Sequence, residues 1–193
     1  MRIISGTARG RVLKMPKGGK TRPAMDRVKS SLFSIIAAKI PGSRFLDLFA
    51  GSGNIGIEAL SRGSEFAAFV DKSAMCCETI MENLQLTKLT EKGMVYREDC
   101  LEFIKKRNLP AFQVVAIDPP YLKGFLDPIL DVLAKSSMFN ETTLFVIERQ
   151  KKDELEWEKR SDLELIDERC FGDTVLTFFK LSPAKNIDQN GDY

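Results

Sequence analysis

Phe45-Leu46-Asp47-Leu48-Phe49-Ala50-Gly51-Ser52-Gly53-Asn54-Ile55-Gly56 is the stretch on which the fold turns. Its first half, apolar apart from Asp47, reads as a buried strand over 44–49. Its second half is a G-x-G-x-x-G turn that opens a helix over 54–62. Asp71 follows Gly51 by 20 residues and ends the next apolar run. Strand, glycine turn, helix and a second acid-tipped strand make a nucleotide-cofactor unit. Beyond it the alternation continues, with strands expected over 66–70, 94–97, 113–117 and 144–148. Helices are expected over 74–86, 100–106 and 125–136. Such alternation means a doubly wound, Rossmann-like α/β fold with a mostly parallel sheet. Two β-like runs, 163–170 and 174–181, meet at Phe171-Gly172-Asp173. They form a C-terminal antiparallel hairpin that brings the sheet to seven strands. Upstream, a helix over 26–39 capped by Asp26 stops at Pro41-Gly42.

Asp118-Pro119-Pro120-Tyr121 closes the run at 113–117. Proline has no amide donor and restricts the residue before it, so the chain must leave the sheet here. It leaves at the carboxyl edge, where open α/β sheets hold ligands. A carboxylate, carbonyls free of amide partners and an aromatic face suit a planar base with an exocyclic amine. The glycine turn alone also fits NAD. Asp47, placed just before it, repels a pyrophosphate and attracts the sulfonium and ammonium of S-adenosylmethionine. Unit charges about 4 Å apart exchange on the order of 4 kcal/mol at an effective dielectric near 20. Asp71 is expected on the ribose hydroxyls, and Phe49 and Lys72 against the same cofactor. Asp99 has two readings: an acceptor for the adenine amine, with the Cys100 amide on a ring nitrogen, or an N-cap of the helix at 100–106.

The 193 residues include no histidine. That excludes Ser-His-Asp and Cys-His nucleophiles and histidine-bound metals, leaving carboxylates, backbone or a cofactor. Cys76, Cys77, Cys100 and Cys170 have no C-x-x-C spacing, so no metal site is expected and reduced thiols fit a cytoplasmic protein. No apolar run approaches the roughly 20 residues of a membrane span. Net charge is only +2, but residues 1–30 carry nine Lys/Arg against Asp26 alone. A basic start on an acidic body fits a polyanion grip, through Arg9, Arg11, Lys14, Lys17 and Arg22, or a solubilising terminal arm. The expected division is a basic arm or short hairpin over 1–25, a catalytic domain over 26–182 and a disordered tail over 183–193.

Asp47-Leu-Phe-Ala-Gly-Ser-Gly together with Asp118-Pro-Pro-Tyr resembles the class I methyltransferases that modify exocyclic amines of nucleobases. More narrowly, the chain resembles the RsmD family. The ordered set Met1-Arg-Ile-Ile-Ser-Gly, Arg9-Gly-Arg, Thr21-Arg-Pro, Asp26-Arg-Val, Leu60-Ser-Arg-Gly and Gly172-Asp-Thr carries that resemblance. It departs at Cys170-Phe171, where a more basic or tyrosine-bearing stretch is usual, and at Arg149-Gln150, where histidine is frequent. The resemblance implies methylation of a guanine N2 in 16S ribosomal RNA, within the small subunit or an assembly intermediate, by a monomer. Asp118 and the Pro119 carbonyl then hold the amine, Pro120 shapes the turn and Tyr121 stacks on the base. Asp118 takes the released proton or passes it to water. Competing readings are a DNA adenine-N6 methyltransferase, a protein-glutamine methyltransferase and a non-catalytic RNA-binding assembly module. Against the first, no stretch is long enough for a separate DNA-recognition domain.

Overall fold

In the computed structural model, which describes residues 1–16, 23–120, 124–153, 155 and 157–183, the strands form one seven-stranded sheet. They are β1 (Arg44–Leu48), β2 (Phe66–Asp71), β3 (Gly93–Arg97), β4 (Val114–Ile117), β5 (Leu144–Gln150), β6 (Leu163–Phe171) and β7 (Thr174–Leu181). The order is β3-β2-β1-β4-β5-β7-β6. The first five strands run parallel, and β7 inserts antiparallel between β5 and β6. The helices are α1 (Pro23–Ile35), α2 (Asn54–Ser61), α3 (Ala74–Thr87), α4 (Cys100–Lys106) and α5 (Leu126–Leu133).

Each sheet face has its own core, because side chains alternate along a strand. One core joins Phe45, Val114 and Val146 to Leu32 and Phe33 of α1, Ile57 of α2 and Ile80 of α3. The other joins Leu46, Val115 and Ile147 to Phe103 of α4, Ile129 and Leu130 of α5, and Phe179 of β7. Trp157 packs there as well, 5.4 Å from the Phe179 ring. The chain builds outward from β1 through β2 and β3, then resumes at β4 on the other side. The resulting crevice lies at the carboxyl ends of β1 and β4, the switch point where doubly wound sheets bind ligands.

Residues 1–13 make an antiparallel ribbon closed by an Arg2–Val12 bridge. It is seated on the body: Ile3, Ala8 and Leu13 are buried. The Thr7 amide donates to the Ser61 carbonyl at 2.8 Å, and the Ala8 amide to Ser61 Oγ at 2.9 Å. A Cβ on Gly6 would lie 1.7 Å from the Ser61 carbonyl oxygen, so only glycine permits this approach.

The seat is completed by buried charge. Lys29 Nζ donates to the Arg2 carbonyl and Asn54 Oδ1, both at 2.8 Å, and meets Glu58 at 3.1 Å. Glu58 accepts the Ile4 and Ser5 amides at 2.8 and 3.0 Å and pairs with Arg62 at 2.7 Å.

Several boundaries differ from the sequence reading. α1 starts at Pro23 rather than at an Asp26 cap, so Asp26 lies inside the first turn. Proline at the head of a helix forfeits an amide that has no partner there anyway. That helix ends at Ile35, with a separate 3-10 turn at Ala37–Lys39. β5 continues through Arg149 and Gln150 because both pair with β7. Lys17 and Arg22 of the expected RNA grip, Tyr121, and nearly all of the expected tail lie outside the described residues. Among the described residues no helix is long and apolar enough to cross a membrane.

Candidate active site

The loops that leave the parallel strands at their carboxyl edge assemble the site. After β1 the backbone takes positive φ at Phe49 (61°), Gly51 (56°) and Gly53 (74°). For a bulky residue such as Phe49 that conformation costs roughly 1–3 kcal/mol and persists only where the surroundings impose it. Here the Phe49 ring is fixed against Phe125, 5.7 Å between centroids, with Lys72 Nζ 5.6 Å above Phe125. Phe49 and Lys72 therefore share one partner at the mouth of the crevice. Space over Gly51 is open, since a Cβ there would meet nothing nearer than 3.9 Å. A backbone that a ligand can approach closely is what a cofactor cradle requires.

Beside the turn, Asp71 ends β2. Its Oδ2 accepts the Gly51 amide at 3.0 Å and its Oδ1 the Ser73 amide at 2.8 Å. Each carboxylate oxygen has a second lone pair, so capacity remains for two hydroxyl donors. Asp99 caps α4, with Oδ1 accepting from Leu101 and Glu102 amides at 3.0 and 3.4 Å. The capping reading of Asp99 thus holds, and because the residue is exposed and the cap uses Oδ1, Oδ2 remains available for the adenine amine. Cys100 is buried beneath, and that burial chiefly pushes its thiol up to about 12, which disfavours the thiolate at neutral pH.

Asp47 sits under the glycine turn at 2 % exposure, and its Oδ2 accepts the Gly56 amide at 2.8 Å. Burial raises its pKa to about 7, against the Gly56 hydrogen bond and with help from Asp71. A folded pKa above the unfolded value means that stability is fully present below pH 4 and is lost as pH rises through about 7. We expect wild-type unfolding free energy to fall relative to Asp47→Asn by about 3 kcal/mol between pH 5 and 8. Denaturant titrations of both proteins at the two pH values measure this; parallel behaviour would show Asp47 to be ionised throughout.

Asp118 continues the ladder past β4, its amide donating to the Leu48 carbonyl at 3.4 Å. Pro119 is buried and Pro120 exposed. Burial first, then the charges of Glu148 and Asp47, raise Asp118 well above the usual carboxylate range. Glu148 is a residue that sequence reasoning passed over. Ile117 is in register with Ile147, so Asp118 and Glu148 are the next residues on adjacent parallel strands. The available signal was that each acid directly follows an apolar strand core.

Arg9 and Arg11 are exposed on the ribbon, whereas Lys14 Nζ is paired with Glu82 at 2.9 Å.

The strand order, the glycine turn on β1, the acid on β2 and Asp-Pro-Pro after β4 define the class: a class I methyltransferase fold. A family model described as conserved hypothetical protein 95 matches residues 1–180, and the chain belongs to that family, the RsmD family. It is 39% identical over 183 residues to a putative rRNA methyltransferase, YlbH, of Bacillus subtilis, covering 93% of this chain and 98% of the relative. It is 35% identical over 153 residues to ribosomal RNA small subunit methyltransferase D of Haemophilus influenzae, covering 78% and 79%. Among solved structures, a putative methyltransferase yhhF from Escherichia coli superposes with a TM-score of 0.81 at 27% identity, covering 94% of this chain and 97% of that one.

Proposed function

We propose that this protein transfers a methyl group from S-adenosylmethionine to the exocyclic N2 of a guanine in 16S ribosomal RNA. The observation that carries the reading is the pairing, across one crevice, of the open Gly51 turn and Asp71 with the Asp118-Pro119 acceptors. Relatives named for small-subunit ribosomal RNA support the substrate class.

The residues fit the cofactor. Asp71 suits the ribose hydroxyls, the Gly51 turn the methionine portion, Asp99 and Cys100 the adenine edge, and Phe49 with Lys72 the rim. Asp47 acts from beneath the turn, its ionised form favoured by a nearby cation. When bound, the cofactor supplies an electrophilic methyl on a sulfonium.

The chain's own work is to hold the amine. An arylamine is a weak nucleophile because its lone pair is delocalised into the ring. Asp118 and the Pro119 carbonyl accept its two N–H bonds and so favour a pyramidal nitrogen whose lone pair faces the methyl. Holding the reactants in line removes up to roughly 7–11 kcal/mol of barrier. Pro120 stiffens the turn that presents these acceptors, and Tyr121 is assigned to stack on the base. The basic segment over 1–25, with Arg9 and Arg11 exposed on the ribbon, grips RNA backbone while 26–182 does the chemistry, as a monomer in the cytoplasm. Lys14, Lys17 and Arg22 extend the grip. An unstacked loop guanine is the expected target, since side chains cannot read the deep groove of an A-form helix.

The test is transfer of labelled methyl from S-adenosylmethionine to unmethylated small ribosomal subunits, followed by nucleoside analysis. Label in N2-methylguanosine is the expected result. Label in another nucleoside would discard the guanine assignment, and label only in DNA adenine or in protein would replace the substrate class. Cofactor binding without transfer to any acceptor would favour the assembly module.

A further inference from the structure

Methyl transfer to an amine leaves a proton to be placed. The nitrogen gains a bond to carbon as the donor's sulfur–carbon bond breaks, with that electron pair passing to sulfur. The methylated nitrogen is then cationic and must shed one N–H proton. With no histidine in the chain, carboxyl groups are the available acceptors near the crevice.

Three of them share one side of the sheet. Asp47 on β1 is in register with Ala116 on β4, and Ala116 with Val146 on β5. Asp118 and Glu148 stand two residues beyond Ala116 and Val146, so the period of two puts all three acids on the same face. Adjacent strands lie about 4.8 Å apart, which brings Asp118 and Glu148 within reach of each other at the open end. The acids are not equivalent. Asp47 is closed off and bound to Gly56, whereas Asp118 and Glu148 both keep partial exposure at the crevice. Among the described residues no such group is arranged to hold a metal ion. Among the described residues, the charges bearing on Asp118 are Glu148 from β5 and Asp47 from β1. On β7 the residue facing Glu148 is the apolar Leu176, and Lys29 of α1, a buried cation on that face among the described residues, is held by Glu58.

We propose that Glu148 is the proton acceptor of the transfer reaction, reached through Asp118. This rests on the methyltransferase reading of the site. In the resting site Asp118 is the protonated member. Its hydroxyl donates to the Glu148 carboxylate while its carbonyl oxygen accepts the substrate N–H. As the nitrogen becomes cationic, its proton passes to the Asp118 carbonyl oxygen, and the Asp118 hydroxyl proton passes to Glu148. Asp118 ends neutral, as it began, and Glu148 ends protonated and releases the proton to solvent at the crevice mouth. A neutral acid also avoids two adjacent negative charges in the crevice, the arrangement that paired carboxyls escape by sharing a proton. Glu148 is thus a positioning residue that acts through Asp118.

The experiment uses full-length wild type, Glu148→Gln and Glu148→Asp. Carbon-13 NMR of aspartate carboxyls, with Asp118 assigned from Asp118→Asn, gives its titration midpoint without requiring any methyl acceptor. In Glu148→Gln that midpoint should drop by at least about one pH unit, a tenfold loss of proton affinity. In the transfer assay the same variant should lose roughly tenfold or more in kcat, with KM for RNA unchanged, and Glu148→Asp should recover part of it. An Asp118 midpoint that stays in place, or a Glu148→Gln kcat–pH profile that overlays wild type, would overturn the proposal. If wild type transfers methyl to no acceptor, the functional reading fails, and the midpoint still decides whether the two carboxyls form a pair.

Discussion

Asp118→Ala should abolish most turnover, lowering kcat by on the order of 10²–10⁴-fold, while affinity for S-adenosylmethionine stays at the wild-type value. The two readouts separate because Asp118 follows β4, whereas Asp71 ends β2 and the Gly51 turn follows β1. Asp118 holds the amine throughout, and its removal takes away an interaction that strengthens as the nitrogen becomes cationic in the transition state. Stability should move the other way. Burial and the neighbouring acids raise the Asp118 pKa, so its ionised form opposes folding, and the alanine variant should unfold at a higher temperature above neutral pH. Loss of turnover with gain of stability is the signature of a group retained for chemistry. Single-turnover methyl transfer, cofactor titration and thermal unfolding at pH 8 measure the three quantities. Turnover at the wild-type rate would remove Asp118 from the reaction.

Glu58→Gln should destabilise the protein by about 3–5 kcal/mol. Glu58 is completely buried and Lys29 nearly so, at 1%, so removing the carboxylate leaves a cation without its counter-charge. The Ile4 and Ser5 amides also lose charged acceptors, which loosens the basic ribbon. In a domain of this size the melting temperature should fall by on the order of 10 °C. Adding Lys29→Met to Glu58→Gln should recover part of the loss, because no buried ammonium then remains unpaired. Denaturant unfolding of the single and double variants is the measurement. A single variant within about 1 kcal/mol of wild type would mean that water or rearrangement relieves Lys29 at little cost.

Most of the sheet was legible from local signals. β7 and α4 match their expected limits, Thr174–Leu181 and Cys100–Lys106, because a run rich in β-branched, aromatic and leucine residues defines one and an aspartate cap with a basic last turn defines the other. The glycine turn was legible for a similar reason: only glycine tolerates its positive φ without penalty, and the neighbouring acids mark strand ends. Phe49 was not, since nothing in its residue type announces a left-handed backbone. Lys29 counts in the sequence only as one of the nine basic residues of the first 30. Only the descent of the ribbon onto α1 and α2 buries it, through contacts spanning 25 and 27 positions of chain. Glu148 read as the polar end of a strand until register set it beside Asp118, 30 positions earlier.

The sequence by itself determined the alternation of strands and helices, the glycine turn, the Asp-Pro-Pro exit and the basic start. Each depends on side-chain period or backbone restriction acting over a few residues. Only the tertiary structure decided which acids share a face, which are shut from water and which cation is buried among them. Those are properties of distance and desolvation between segments far apart in the chain, and they set the charge state of Asp47 and Asp118.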